Sequence, residues 1–275
     1  MVEGMSDISF LKSCQVFWVI EYIKENRSFI QSEVTKIIFS ATEMRDFTLF
    51  SLPHIVTLLI FFTSFSLFIY YRQKLKEYQA ILKWSLFTIL LVCEITLQLY
   101  LIVIKEWTVS DLPLQVCSIS AFLALFLFLK KNPKMFHLLF FIGTLPPVLS
   151  MISPDIIHQF PHFRFIRYFL KHSAIPLAVL YFIFFEGYRV PRKAILSSFF
   201  IINLIALPIF FLNRLLGTNF FFLAAPSEAK TLLLFFGSGI MYNISLEIVA
   251  LIVCIITYIP MGILQKKENM KIGGH

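Results

Sequence analysis

The chain alternates long apolar stretches with short polar loops. A helix rises 1.5 Å per residue, so about 18 to 25 apolar residues cross a hydrocarbon core of about 30 Å. Such stretches show no period-two alternation, which argues against a membrane β-barrel. The pattern predicts an all-α, polytopic membrane helix bundle over residues 51–265, with about seven transmembrane helices. The predicted spans are Pro53–Tyr71, Ala80–Ile104, Leu112–Leu129, Met135–Ile152, Phe165–Phe185, Ile195–Leu212 and Met241–Leu264.

Positive charge is concentrated in alternate loops. Cytoplasmic loops of membrane proteins carry an excess of Lys and Arg. The pattern therefore predicts an N-terminus outside, a cytoplasmic tail over residues 266–275, and a location in the cell membrane. The bases on the predicted cytoplasmic side are Arg72, Lys74, Lys76, Lys83, Lys130, Lys131, Lys134, Arg189, Arg192, Lys193, Lys266, Lys267 and Lys271.

Residues 1–50 mix polar and apolar side chains. Phe10, Cys14 and Phe17 recur at helical spacing, as do Ile30 and Val34. We expect this extracytoplasmic segment to form one or two amphipathic helices on the outer membrane surface. A helix packed against the bundle explains the pattern equally well, whereas a small soluble domain is less favoured because so short a stretch makes a poor core.

The amino-acid composition is also typical of an integral membrane protein. The chain is 58% hydrophobic and has a net charge of +8. The charge does not indicate nucleic-acid binding, because the bases lie in loops between apolar stretches. The four cysteines form no CxxC pair and no His/Cys ligand spacing, so neither a disulfide framework nor a metal site is expected, and no cofactor is implied.

Several polar side chains fall inside the predicted spans, where an ionisable group is costly and therefore suggests function. Counted from the predicted outer helix ends, Cys117, His172 and Glu247 lie about 8 to 10 Å deep. Side chains from five helices thus gather near one level in the outer half of the membrane. The further members of the set are His54, Glu94, Gln98, Gln115 and Asn243.

A cysteine and a histidine at one depth suggest nucleophilic catalysis. His172 would take the thiol proton of Cys117, and the thiolate would attack an ester or thioester carbonyl. Glu247 or Gln98 would orient the imidazole, and Gln115 or Asn243 would stabilise the oxyanion.

Each residue also has a structural interpretation. A lone cysteine in a span is usually a packing residue, and Glu247 would serve equally well as a hydrogen-bond partner of a neighbouring helix. Lys171 is expected to extend toward the membrane surface. The run Gly143–Pro147 predicts a kink or break in the fourth span.

The same residues carry a resemblance to a family. The chain resembles the YwaF-type bacterial integral membrane proteins over about residues 50–262. That family is similar to a eukaryotic cysteine-dependent acyltransferase that makes ether phospholipids, and distantly to the androgen-induced hydrolases of fatty-acid esters. The motifs are Phe50–His54, Leu112–Ser120, Pro154-Asp155, Phe160–Phe165 running on to His172, Leu215–Asn219 and Leu246-Glu247.

The resemblance implies that Cys117 is the nucleophile and His172 its base. Gln115 departs from the histidine that many members have two places before the cysteine. We therefore expect a lipid acyltransferase or transacylase whose partners are membrane phospholipids or lysophospholipids rather than nucleic acid. The alternatives are an intramembrane lipid-ester hydrolase and a transporter or ligand-binding membrane protein without catalysis. Seven spans do not halve into the paired repeats common in transporters.

Overall fold

The computed structural model describes residues 46–226 and 235–272. This part of the chain is helical, with one isolated β-bridge between Asp46 and His158. Phe47 also donates its backbone N–H to the carbonyl of Ile157 at 2.7 Å. The expected amphipathic helices before Asp46 lie outside the described residues. The helices are α1 Leu52–Tyr70, α2 Gln79–Val103, α3 Val116–Leu129, α4 Pro133–Gly143, α5 Leu145–Ile152, α6 Phe163–Phe184, α7 Ala194–Leu216 and α8 Gly239–Ile272.

Six helical segments in the described part of the chain are long and apolar enough to cross a membrane, counting α4 and α5 together. The polytopic, all-helical architecture predicted from the sequence is thus confirmed. The predicted third span differs, because α3 begins at Val116 rather than Leu112 and has only 14 residues. Leu112 and Gln115 have extended backbones with ψ of 138° and 153°, and Pro113 between them has no N–H for a helical hydrogen bond.

The fourth span is broken where the sequence predicts it. Helix α4 ends at Gly143, and Thr144 separates it from α5 with φ of −99° and ψ of −80°. Pro146 and Pro147 follow at once, and neither has the N–H that a continuous helix needs. At the other end of the chain, α8 continues through Lys266 to Ile272, so the predicted tail from residue 266 begins as helix.

Helix α6 lies at the centre of the bundle and packs against α1 through α5. Its buried residues include Ile175, Val179 and Phe182, which join one core with Phe128 of α3 and Phe136 of α4. Aromatic rings fill much of this core, as the 4.7 Å separation of the Phe128 and Phe182 ring centroids illustrates.

Helices α7 and α8 lie at the periphery and expose much of their apolar surface. Leu204 is 69% exposed and Ile248 is 55% exposed. Outward-facing aliphatic side chains are costly in water but suit the hydrocarbon of a membrane. The position of α6 therefore decides which polar side chains are enclosed by protein and which face outward.

Candidate functional site

Cys117 and His172 meet between α3 and α6. Cys117 is the second residue of α3 and is half-buried, and His172 is buried in α6. The imidazole Nε2 lies 3.1 Å from the cysteine Sγ. This distance is within hydrogen-bonding range, so the two side chains form a nucleophile–base geometry.

The backbone of α6 fixes the tautomer of His172. Its Nδ1 lies 2.7 Å from the carbonyl oxygen of Tyr168, one turn earlier. A carbonyl oxygen only accepts, so Nδ1 carries the proton and donates it. In the neutral ring Nε2 is then the acceptor, and the Cys117 thiol donates to it. The Tyr168 ring stacks on the imidazole with a centroid distance of 3.9 Å, which further fixes its orientation.

The first turn of α3 presents backbone donors beside the sulfur. The N–H groups of Ser118 and Ile119 both bond the carbonyl of Gln115. The N–H groups of Val116 and Cys117 precede these two donors in the first turn of α3, where a helix offers no carbonyl acceptor four residues earlier. A helix N-terminus with unsatisfied N–H groups stabilises negative charge. The site thus places potential oxyanion donors at the nucleophile itself.

A buried ionic cluster adjoins the Cys–His pair. Lys171 donates to Ser118 Oγ at 2.8 Å and forms an ion pair with Glu94. Arg167 lies 3.7 Å from the same carboxylate and donates its Nε to the carbonyl of Cys93 at 2.6 Å. Ser118 is also 3.5 Å from Glu94. Two cations thus face one carboxylate, and the cluster holds an excess of one positive charge.

The position of Lys171 corrects the expectation that it extends to the membrane surface. Its side chain is buried, with only 5% exposed, and its charge is compensated by Glu94. Lys171 and Ser118 are the sequence neighbours of His172 and Cys117. Helices α3 and α6 are therefore joined by two adjacent contacts. The Cys117 thiol meets the His172 imidazole, and the Ser118 hydroxyl meets the Lys171 ammonium group.

Gln98 and Gln115, two of the predicted supporting residues, bond groups outside the Cys–His pair. Gln98 fastens the loop between α2 and α3, since it donates to Asp111 O and accepts from the Trp107 indole, both at 2.8 Å. Gln115 accepts from the backbone N–H of Phe221 at 3.0 Å.

His54, another predicted supporting residue, bonds backbone groups at the start of α1 and in α5. It is fully buried, and its Nδ1 accepts from the N–H of Phe50 at 3.0 Å. Its Nε2 donates to the carbonyl of Met151 at 2.9 Å. Both ring nitrogens are thus used to join the start of α1 to α5.

Glu247 and Asn243, which the sequence predicts to support the pair, lie on α8. Both side chains are exposed, and the Asn243 amide donates to the carbonyl of Gly239 in its own helix, at 3.4 Å. Orientation of the imidazole comes from the Tyr168 carbonyl instead of a carboxylate. The structure brings Cys117, His172 and Glu94 to one region of the bundle and leaves the α8 side chains outside it.

The residues missed from the sequence are Tyr168, Arg167 and Ser118. Arg167 and Lys171 are four residues apart and therefore share a helix face. Two bases at that spacing inside a predicted span indicate a charged helix face that is turned away from lipid. No sequence pattern identified Tyr168, because its hydrogen bond to His172 comes from a backbone carbonyl, which every residue has. Among the described residues, no group of three His, Cys, Asp or Glu side chains is arranged to hold a metal ion.

The fold and site define a multi-pass helical membrane protein with an enclosed Cys–His pair and an adjacent ionic cluster. The chain belongs to the TMEM164 family, whose model matches residues 49–258. This range includes the Cys–His pair and the whole ionic cluster. No curated protein and no solved structure gives a significant match.

Proposed function

We propose that the protein is an integral membrane acyltransferase that moves a fatty acyl chain between lipids through a Cys117 thioester. The observation that carries the proposal is the 3.1 Å approach of His172 Nε2 to Cys117 Sγ. The Nδ1 hydrogen bond to Tyr168 supports it, because that bond leaves Nε2 free to act as a base. A nucleophile, a base and an orienting group are the parts that acyl transfer requires.

In the first half-reaction, His172 Nε2 takes the proton of the Cys117 thiol. The thiolate attacks an ester carbonyl of a phospholipid and forms a tetrahedral oxyanion. The C–O ester bond then breaks, and the leaving alkoxide takes the proton from Nε2 to give a lysophospholipid. The acyl group remains on Cys117 as a thioester.

The second half-reaction reverses these roles. Nε2 takes the proton from a hydroxyl of an acceptor lysophospholipid, whose oxygen attacks the thioester carbonyl. The C–S bond breaks, and the proton passes to the released thiolate. Water in place of the lysophospholipid would make the enzyme a lipid-ester hydrolase, so the acceptor distinguishes these two functions.

Electrostatic stabilisation of the oxyanion has two sources in this proposal. The N–H groups of Val116 and Cys117 lie at the N-terminus of α3, where the helix dipole favours negative charge. The excess positive charge of Arg167 and Lys171 over Glu94 adds to this field. Charges act more strongly in such a water-poor region than in bulk water.

The direct test is trapping of the acyl-enzyme. Purified protein in mixed micelles is incubated with a phosphatidylcholine carrying an isotope-labelled acyl chain. Intact-protein mass spectrometry, with peptide mapping, should find the labelled acyl mass on Cys117. Addition of lysophosphatidylcholine should discharge the thioester and give labelled phosphatidylcholine, whereas a hydrolase would release labelled free fatty acid without any acceptor lipid.

Variants of the pair sharpen the test. Cys117→Ala should abolish the adduct, and His172→Ala should slow its formation by about 100- to 10,000-fold, the usual contribution of a general base. Cys254→Ala is the matched control, since Cys254 is buried among apolar residues of the core and its loss should leave the rate unchanged. An adduct on Cys254, or transfer that survives Cys117→Ala in folded protein, would refute the proposal.

A further inference from the structure

A cavity lies far from the Cys–His pair. Its volume is about 640 Å³, and it opens between the ends of α1, α6 and α8. Ile183 in its wall is eleven residues beyond His172, which is about 16 Å along the helix. The cavity therefore belongs to the opposite half of the bundle, the side predicted to be cytoplasmic. Side chains that define it include Arg72, Lys76, Lys267, Phe184, Leu264 and Met270.

Arg189 in the cavity wall is fully engaged by the protein. It forms a two-point ion pair with Glu268 at 2.6 and 2.9 Å. Its remaining terminal nitrogen donates to the carbonyls of Ile183 and Tyr188, each at 2.9 Å. This arginine caps the end of α6 and neutralises Glu268, the acidic side chain among the described lining residues.

Three other bases in the lining have no acidic partner in the part of the chain that the structure describes. Arg72, Lys76 and Lys267 are exposed, and none of them forms an ion pair within residues 46–226 and 235–272. Arg72 is nonetheless held in place, because it donates to the carbonyl of Ile69 at 2.8 Å and lies over the Phe184 ring at 5.6 Å. The lining thus presents about three positive charges to any occupant.

Apolar side chains form much of the remaining wall, beside the amide of Gln73. Phe184 and Leu264 border the cavity at the ends of their predicted spans, and Met270 lies beyond Lys267 in α8. Basic and apolar side chains in one cavity match a molecule with an anionic headgroup and a hydrocarbon chain. The volume is within the usual range of about 300 to 1,000 Å³ for ligand sites.

We propose that this cavity binds an anionic phospholipid of the membrane leaflet on that side. The phosphate lies among Arg72, Lys76 and Lys267, and an acyl chain runs along Phe184 and Leu264. Basic pockets between transmembrane helices are suited to such headgroups. The bound lipid is a resident one rather than the reacting one, because Cys117 lies in the other half of the bundle. It contacts the ends of α1, α6 and α8 together.

Lipid binding by purified protein tests the proposal. Protein in detergent is titrated with phosphatidylglycerol or with phosphatidylcholine, and native mass spectrometry measures the bound fraction. The triple variant Arg72→Gln/Lys76→Gln/Lys267→Gln should bind phosphatidylglycerol about 100-fold more weakly, since each base near the surface contributes roughly a factor of five. Its affinity for phosphatidylcholine should not change.

A charge-matched control separates a site from general surface attraction. Lys130, Lys134 and Lys193 are exposed on the same predicted side but outside the cavity. Their triple change to Gln should leave phosphatidylglycerol binding within about twofold of the parent, because attraction to a distant charge is screened. Equal losses in the two triple variants would overturn the proposal, as would unchanged binding in the cavity variant.

Two further arms complete the test. Inorganic phosphate at millimolar concentration should not displace the lipid; full displacement would identify a free-phosphate site and contradict a lipid one. If the triple variant fails to fold, the single variant Lys267→Gln replaces it, with an expected loss of about fivefold. Labelling of Cys117 is measured in parallel, so failure of lipid binding and failure of the acyl-enzyme are distinguished.

Discussion

Helices α6 and α8 both contain ionisable side chains within their predicted spans, but Lys171 and His172 of α6 are buried and Glu247 of α8 is exposed. Each predicted span contains an ionisable side chain about two turns from its outer end, Lys171 or His172 in α6 and Glu247 in α8. In the apolar stretch of α6 that could cross the membrane, 67% of the residues are buried. In the corresponding stretch of α8, only 17% are buried. The α6 side chains are therefore enclosed and paired, and Glu247 is exposed.

The difference between the two helices follows from what surrounds them. Of the six candidate spans, α6 is the least apolar and the most buried, and the broken span α4–α5 comes second in both respects. A helix surrounded by protein does not need an apolar face for lipid, so it tolerates Arg, Lys and His if each finds a partner. In this protein, the spanning helix with the lowest mean hydropathy is thus the one at the centre of the bundle.

The largest effect expected from this comparison is on stability. Glu94→Leu removes the carboxylate that faces Lys171 and Arg167 and leaves two buried cations. Breaking a buried pair in this way costs about 3–5 kcal/mol. Glu247→Leu, the matched change on exposed α8, should leave stability unchanged or raise it. Unfolding midpoints in mixed micelles with increasing dodecyl sulfate measure both variants, and similar losses in the two would refute the distinction between the helices.

A smaller effect is expected from glycine replacement. A Cβ added at Gly143 would lie 3.2 Å from Ile175 and 3.3 Å from Val179, both buried in α6. Gly143→Val should therefore lower the free energy of unfolding by about 2 kcal/mol, since a packed core resists added volume.

Gly262 in α8 is the control for this change. The three atoms nearest to its added Cβ, the closest at 3.2 Å, belong to the Tyr258 ring of the same helix and not to a neighbouring helix. Gly262→Val should cost less than half as much in the same unfolding assay. A larger loss at Gly262 would show that α8 is packed more tightly than its exposure indicates.

The smallest predicted effect concerns the loop before α6 and depends on pH. His158 and His162 stack with ring centroids 4.0 Å apart. Burial, followed by the charges of His162 and Arg164, lowers the pKa of His158 to about 4. An unfolded histidine takes up its proton near pH 6.5 (about the reference value). The contribution of His158 is thus fully present above about pH 6.5 and is lost as the pH falls toward about 4.

His158→Gln tests this sign. The parent protein should lose thermal stability between pH 7.5 and pH 5, and the variant should lose less over the same interval. Differential scanning fluorimetry in detergent at the two pH values measures the melting temperatures. A parallel decline in the parent and the variant would show that His158 remains neutral in the unfolded chain or is charged in the folded one.

The candidate site was only partly predictable. Cys117 and His172 were selected because reactive side chains at one depth are unusual in a membrane span, and helix rise alone gives that depth. The depth of a residue in the membrane does not show, however, which way its side chain points from the helix. Glu247 is at the same calculated level, yet it lies on the outer surface of α8 because the azimuth of a helix depends on its packing partners. The orienting role of Tyr168 was not predictable, since every residue has a carbonyl.

The sequence by itself determined that the chain is a multi-pass helical membrane protein, where most helices lie, and where the fourth span breaks. These are local consequences of apolar length and of missing proline N–H groups, and they need no knowledge of neighbours. Only the tertiary structure decided that α6 is central, that Lys171 pairs with Glu94, and that His172 faces Cys117. Such contacts join side chains 53 to 77 positions apart, and their geometry depends on how whole helices rotate and pack against each other.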